Sequence, residues 1–180
     1  LNGKWPLAIG TFLIAFLISL GVSLIPYAGQ IIYFLVTAPL VVGISFFALK
    51  IARDQDPKTD DLFFSFNNNF GNAILANLLV GIFAFIGFIL LIIPGIIVSL
   101  ALSQTWFILA ENPSMGSYEA IIKSKDMMKG YKWQYFKIGL RLLLLGLLCL
   151  LTLGIGFLWL IPYQYVVYAK FYEEVKAANA

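Results

Sequence analysis

The sequence predicts an all-α integral membrane protein: six transmembrane helices arranged as three tandem helical hairpins in a pseudo-threefold repeat. Three observations predict it. Of 180 residues, 61% are hydrophobic and 12% charged, with a mean hydropathy of +0.91, whereas soluble domains carry about a quarter charged residues. The stretch from Phe70 to Ala110 contains no Lys, Arg, Asp, Glu or His and is punctuated by Pro94-Gly95, which fits two membrane-length helices joined by a turn. The apolar runs on either side pair in the same way. The expected boundaries are 5–50, 70–111 and 133–172, within a single transmembrane domain 1–180.

The chain opens at Leu1 and not at Met, so a short N-terminal piece is expected before it. The first apolar run is too long for a signal peptide and no small-residue cleavage site follows it. A first helix is expected from about Pro6 to Ile25, with Trp5 at the interface and Pro6 in the opening turn, where its missing N–H costs nothing. After a Pro26–Gln30 turn, a second helix runs from about Ile31 to Lys50. Pro39 inside it removes one backbone hydrogen bond and bends it.

The connection ARDQDPKTDDLFFSFNNNF is polar. Asp60 or Asp61 can cap a short helix whose Leu62, Phe63, Phe64 and Phe66 lie in the headgroup layer. Asp54, Asp56, Asp60 and Asp61 lack the ligand spacing and glycine of a calcium loop, so a solvated loop is expected and no metal. After the central hairpin, ENPSMGSYEAIIKSKDMMKGYKWQYF is amphipathic. Tyr118, Ile121, Ile122 and Met128 can share one side, while Lys123, Lys125, Lys129 and Lys132 are placed to contact an anionic lipid surface. The last hairpin is expected to have helices of about Phe136–Thr152 and Gly156–Tyr172 with a turn at Gly154, and the tail EEVKAANA to fray.

Charge sets the topology. The three hairpin turns (Pro26–Gln30, Ile93–Ile96 and Leu151–Gly156) contain no charged residue. The positive-inside rule then puts both termini and both long connections in the cytoplasm. Polar-then-aromatic starts to the hairpins recur about every 65 residues, at Gly3-Lys4-Trp5, Asn69-Phe70-Gly71 and Gly130-Tyr131-Lys132-Trp133. Three hairpins of one orientation must be parallel copies. The first helix of each carries small residues on one face: Ala8, Thr11, Ala15 and Ser19; Ala73, Asn77, Gly81 and Ala84; Gly139, Gly146 and Cys149. Either these three helices meet in the interior through close backbone approach, or such residues are simply common in membrane helices.

Four polar residues interrupt the apolar runs: Asn77, Gln104, Arg141 and Gln164. Counted at 1.5 Å per residue, all four lie roughly 8–11 Å from the cytoplasmic surface, a candidate polar layer in the inner leaflet. An arginine there costs about 1–3 kcal/mol unless it snorkels or finds a partner. Either Arg141 holds an anionic group such as a lipid phosphate with the amides around it, or it snorkels and the amides bond between helices.

Histidine is absent and the single Cys149 lies in an apolar run. That removes the commonest general base, a disulfide framework and a cysteine metal cluster, so neither enzyme chemistry nor a cofactor is expected. Lysines on a helix with a greasy opposite face do not point to nucleic acid. The expected function is a non-enzymatic membrane protein that binds or moves lipid or a small amphiphile through that polar layer, with anionic membrane lipids as partners. The alternative is a structural or accessory protein of a larger complex, with a protein partner or a second copy of itself, or a protective factor against membrane-active peptides.

The residues Asn112-Pro113, Glu119-Ala120-Ile121, Ser124, Met127-Met128, Gly130, Trp133 and Phe136 resemble a family of small bacterial membrane proteins, mainly of Firmicutes. So do Gly154-Ile155-Gly156, Trp159, Pro162-Tyr163, Ala169 and Phe171-Tyr172-Glu173. The family is catalogued as domain of unknown function nine-seven-five, and it is similar to the membrane region of some glycerophosphodiester phosphodiesterases, whose catalytic domain has no counterpart in this sequence. The resemblance implies the multi-pass architecture and a bacterial cytoplasmic membrane; it implies no activity.

Overall fold

A computed structural model describes residues 3–24 and 29–179, and it is helical. The elements are α1 (Trp5–Ser23), α2 (Gly29–Ala52), a 3-10 helix (Thr59–Phe63), α3 (Phe64–Asn68), α4 (Phe70–Leu90), α5 (Ile92–Ala101), α6 (Thr105–Glu111), α7 (Ser117–Met127), α8 (Lys132–Leu151) and α9 (Phe157–Ala178). Five stretches are long and apolar enough to cross a membrane: Trp5–Ser23, Ile32–Ala52, Phe70–Ile89, Ile92–Glu111 and Lys132–Leu151. Helix α9, at 22 residues, is also long enough, but Gln164, Lys170, Glu173 and Glu174 lower its hydropathy. Of the expected Pro26–Gln30 turn, residues 26–28 lie outside the described residues.

Helix α2 is the hub. It packs against α1, α3, α4, α6, α9 and the 3-10 helix, and 56% of its span is buried against 6% for α8. The helices expected to open the three hairpins (α1, α4 and α8) therefore do not meet in the interior, contrary to one reading of their small-residue faces. The reason is chemical. Apolar helices gain little hydrophobic energy from each other in lipid, so they associate where small residues let backbones close in, and α2 buries Ala38, Gly43, Ser45 and Ala48. The small residues of α8 face α9 instead, with Gly146 beside Leu160 and Phe157. One apolar cluster joins α2, α4, α6, α7 and α9, and a second joins α1, α2, Leu62 and Val166.

The central turn lies earlier than Ile93–Ile96. Leu91 alone is extended (φ −171°, ψ 153°) between α4 and α5, and Pro94 sits within the first turn of α5, where a missing N–H is harmless. The two helices cross at glycines. A Cβ on Gly95 would lie 2.6 Å from Phe88 Cγ and 2.9 Å from its Cα. Gly95→Val is therefore expected to splay the hairpin and cost about 1–3 kcal/mol, read as a lower thermal midpoint in detergent. An unchanged midpoint would show that this crossing is slack.

The connections are not loose. Leu62 is fully buried against α2, and Phe64 stacks on Phe46 at 4.0 Å. Asp61 accepts the Lys58 N–H (2.8 Å) and pairs with Lys50 (2.7 Å). Helix α7 docks on α4 and α6 with Ser117, Ala120, Ile121, Ser124 and Met127 inward. Of the four residues expected on one side, Ile121 and Met128 are buried, but Tyr118 and Ile122 point out, Tyr118 at 62% exposure. Tertiary packing uses the small face of α7, which single-helix amphipathicity overlooks. The expected fraying tail is helical to Ala178 because Val175 is buried in the main cluster.

Candidate functional site

Four charged residues and a tyrosine converge where three helices end. Arg53 follows α2, Glu111 closes α6, and Tyr172, Glu173 and Lys176 lie on the last turns of α9. Arg53 donates through Nε (2.9 Å) and Nη2 (2.7 Å) to Glu173 Oε1, and through Nη2 to Glu111 Oε1. Glu111 also accepts from Lys176 and, through Oε2, from the Tyr172 hydroxyl at 2.7 Å. Partial burial disfavours the Arg53 charge, but the hydrogen bonds it donates to Glu173 and Glu111 outweigh this and raise its pKa above the ordinary value. With two carboxylates, two cations and a phenol mutually satisfied, this junction is a clasp on three helices. Lys4 similarly reaches the Gln55 carbonyl, tying the start of α1 to the end of α2.

The expected polar layer is dispersed. Gln104 is fully buried at the break between α5 and α6, Asn77 and Gln164 are half-buried, and Arg141 is exposed on α8. Among the described residues no hydrogen bond or ion pair joins any two of these four. Gln104 instead belongs to a local network. Its N–H donates to Ser124 Oγ (3.2 Å), Ser124 Oγ donates to the Ala101 carbonyl (2.9 Å), and Gln104 Nε2 donates to Ser103 Oγ (2.9 Å). The two Ser124 bonds satisfy backbone groups freed where the helix is interrupted. Of the four lysines expected at a lipid surface, Lys123, Lys125 and Lys129 are exposed and Lys132 is half-buried; Lys129 also pairs with Asp126 at 2.8 Å. Among the described residues no three of His, Cys, Asp or Glu converge as a metal-binding group.

A concave site lies elsewhere. Helices α1, α2 and α9 enclose a groove of ≈ 520 Å³, whose walls include Phe12, Phe16, Tyr33, Thr37, Pro162 and Tyr165. Phe12 and Tyr165 close its floor with ring centroids 5.1 Å apart. Two of its four hydroxyls are spent on their own helices, and the rest of the lining is mainly hydrocarbon. Ser19 donates to the Ala15 carbonyl (2.9 Å) and Thr37 to that of Tyr33 (2.7 Å), so the wall presented to a ligand is mostly apolar, with the Tyr33 and Tyr165 hydroxyls as its polar points. Sequence reading misses both groove and clasp. The clasp had a signal, since Arg53, Glu111 and Glu173 each sit just past an apolar run on one side; the groove had none, since its walls come from three separate helices.

A family model described as Protein of unknown function (DUF975) matches residues 82–179, more than half of the chain. No curated protein and no solved structure matches it.

Proposed function

The chain belongs to the DUF975 family, and we propose that it is a non-enzymatic membrane protein that binds or moves a lipid or small amphiphile, with the groove between α1, α2 and α9 as the binding place. The groove carries the proposal. Its volume falls in the range of about 300–1,000 Å³ typical of small-molecule sites, and its walls are mostly apolar helix faces. An acyl chain suits such a wall because it asks for no hydrogen bond. Arg141 does not line the groove, so the amphiphile is assigned to aromatic and aliphatic side chains and not to the four dispersed polar residues.

The wider reading is a bacterial cytoplasmic membrane protein of three tandem hairpins, with α9 pairing with α8 as the sixth helix and both termini in the cytoplasm. The charge-free central and C-terminal turns support it. Lys123, Lys125 and Lys129 would then face anionic headgroups, with Lys132 behind them.

The test is Thr37→Trp, which fills the groove from α2. Native mass spectrometry of the purified protein is expected to show at least about tenfold less co-purified amphiphile, as a well-packed site loses when overfilled, with helical circular dichroism unchanged. Equal amphiphile content in the two proteins would refute the groove assignment.

A further inference from the structure

We propose that the second and third hairpins are re-entrant: they enter the bilayer from the charged side and turn within its hydrocarbon without crossing it. Ser124 fixes the depth of α7, because its hydroxyl bonds both the Ala101 carbonyl and the Gln104 N–H. Exposed Lys123, Lys125 and Asp126 flank Ser124, and exposed Lys129 follows. These charges therefore stand level with the end of α5, and α5 is only ten residues long from Ala101 back to Ile92. Ten helical residues span about 15 Å, half of a hydrocarbon core about 30 Å thick. Each lysine or aspartate drawn into the bilayer centre costs about 2.5–3.5 kcal/mol, so the charged end of α7 stays at or above the headgroups. The Leu91 turn is then left near the bilayer midplane.

The third hairpin repeats the measurement independently. Arg141 is exposed on α8, and α8 ends ten residues later at Leu151, again about 15 Å away. The turns themselves are built for hydrocarbon. Leu91, Ile92 and Ile93 are about 70% exposed, and Leu151 and Leu153 are 81% and 95% exposed, with no charged neighbour.

A turn placed in lipid must bond its backbone internally, and the N–H groups of the Leu151–Gly156 turn are bonded locally. The N–H groups of Thr152 and Gly154 donate to the Cys149 carbonyl, that of Leu153 to Leu150, and that of Ile155 to Thr152. Gly156 donates to Thr152 Oγ1 at 3.0 Å, and that hydroxyl in turn donates to the Cys149 carbonyl at 2.7 Å.

This inference rests on the hairpins entering from the side that bears the charges, and the experiment separates the two. Single cysteines are introduced by Leu91→Cys, Leu153→Cys and, as a reference, Lys125→Cys, each with Cys149→Ala. Membrane-impermeant maleimide is applied to spheroplasts and to inside-out vesicles. Both turn positions are expected to label at least about tenfold less than Lys125→Cys from either face, as thiols in hydrocarbon lie beyond an aqueous reagent, and to label fully in denaturing detergent. Labelling of Leu91→Cys or Leu153→Cys from the face opposite Lys125→Cys would overturn the inference. Labelling of Lys125→Cys in spheroplasts would reverse the proposed orientation, while the two turn positions would still decide the depth.

Discussion

Gly43→Ala is expected to be the most damaging single-methyl change in the protein. A Cβ at that position would sit 2.0 Å from the Leu62 carbonyl oxygen, 2.6 Å from its carbon and 3.0 Å from its Cα. All three are backbone atoms, so no rotamer change relieves the clash. The 3-10 helix must lift away from α2. That would expose Leu62, part Phe64 from Phe46 and separate Asp61 from Lys50. Overpacking of this kind ordinarily costs about 1–3 kcal/mol, and the coupled loss of the docked connection takes the expected total to about 3–4 kcal/mol. Unfolding in a denaturing-detergent titration measures it, and hydrogen exchange across residues 59–63 should accelerate in step. A wild-type midpoint in Gly43→Ala would mean that the connection is not held by this contact.

Arg53→Leu should come next, through electrostatics. It removes the cation that holds Glu111 and Glu173 together and leaves the two carboxylates facing each other with Lys176 alone. Breaking a fully buried ion network costs about 3–5 kcal/mol. These side chains are partly exposed, and solvent weakens the effect, so about 2–3 kcal/mol is expected. The clasp also makes a sharper prediction. Arg53→Gln and Glu173→Gln should be non-additive, because the charge-assisted bonds they share are lost once and not twice. A double-mutant cycle of thermal midpoints reads this directly, and strict additivity would show that the pair contributes nothing.

How much of this was legible beforehand differs by element. Helix positions were readable to within a few residues because lipid demands long, uncharged, internally bonded segments, and such segments show in any linear reading. The break at Leu102–Gln104 was not readable, since Gln104 looks like an ordinary polar intrusion until Ser124 of α7 is seen to support the freed backbone. Arg141 and Gln104 were the natural candidates for a shared layer, being at matching depths in their helices. Depth alone says nothing about rotation around an axis, and the structure turns Arg141 outward while burying Gln104. The same uncertainty misdirected Tyr118 and Ile122.

Composition and the order of apolar and charged runs were enough to establish a helical membrane protein, because burial in lipid constrains every residue of a segment at once. Which helix occupies the centre, where the groove opens and which charges clasp were decided only by tertiary structure. Those outcomes depend on a few atoms: the missing side chain of Gly43, the guanidinium of Arg53 and the hydroxyl of Ser124. Each acts on a partner at least 19 residues away in the chain, a distance that local sequence pattern does not encode.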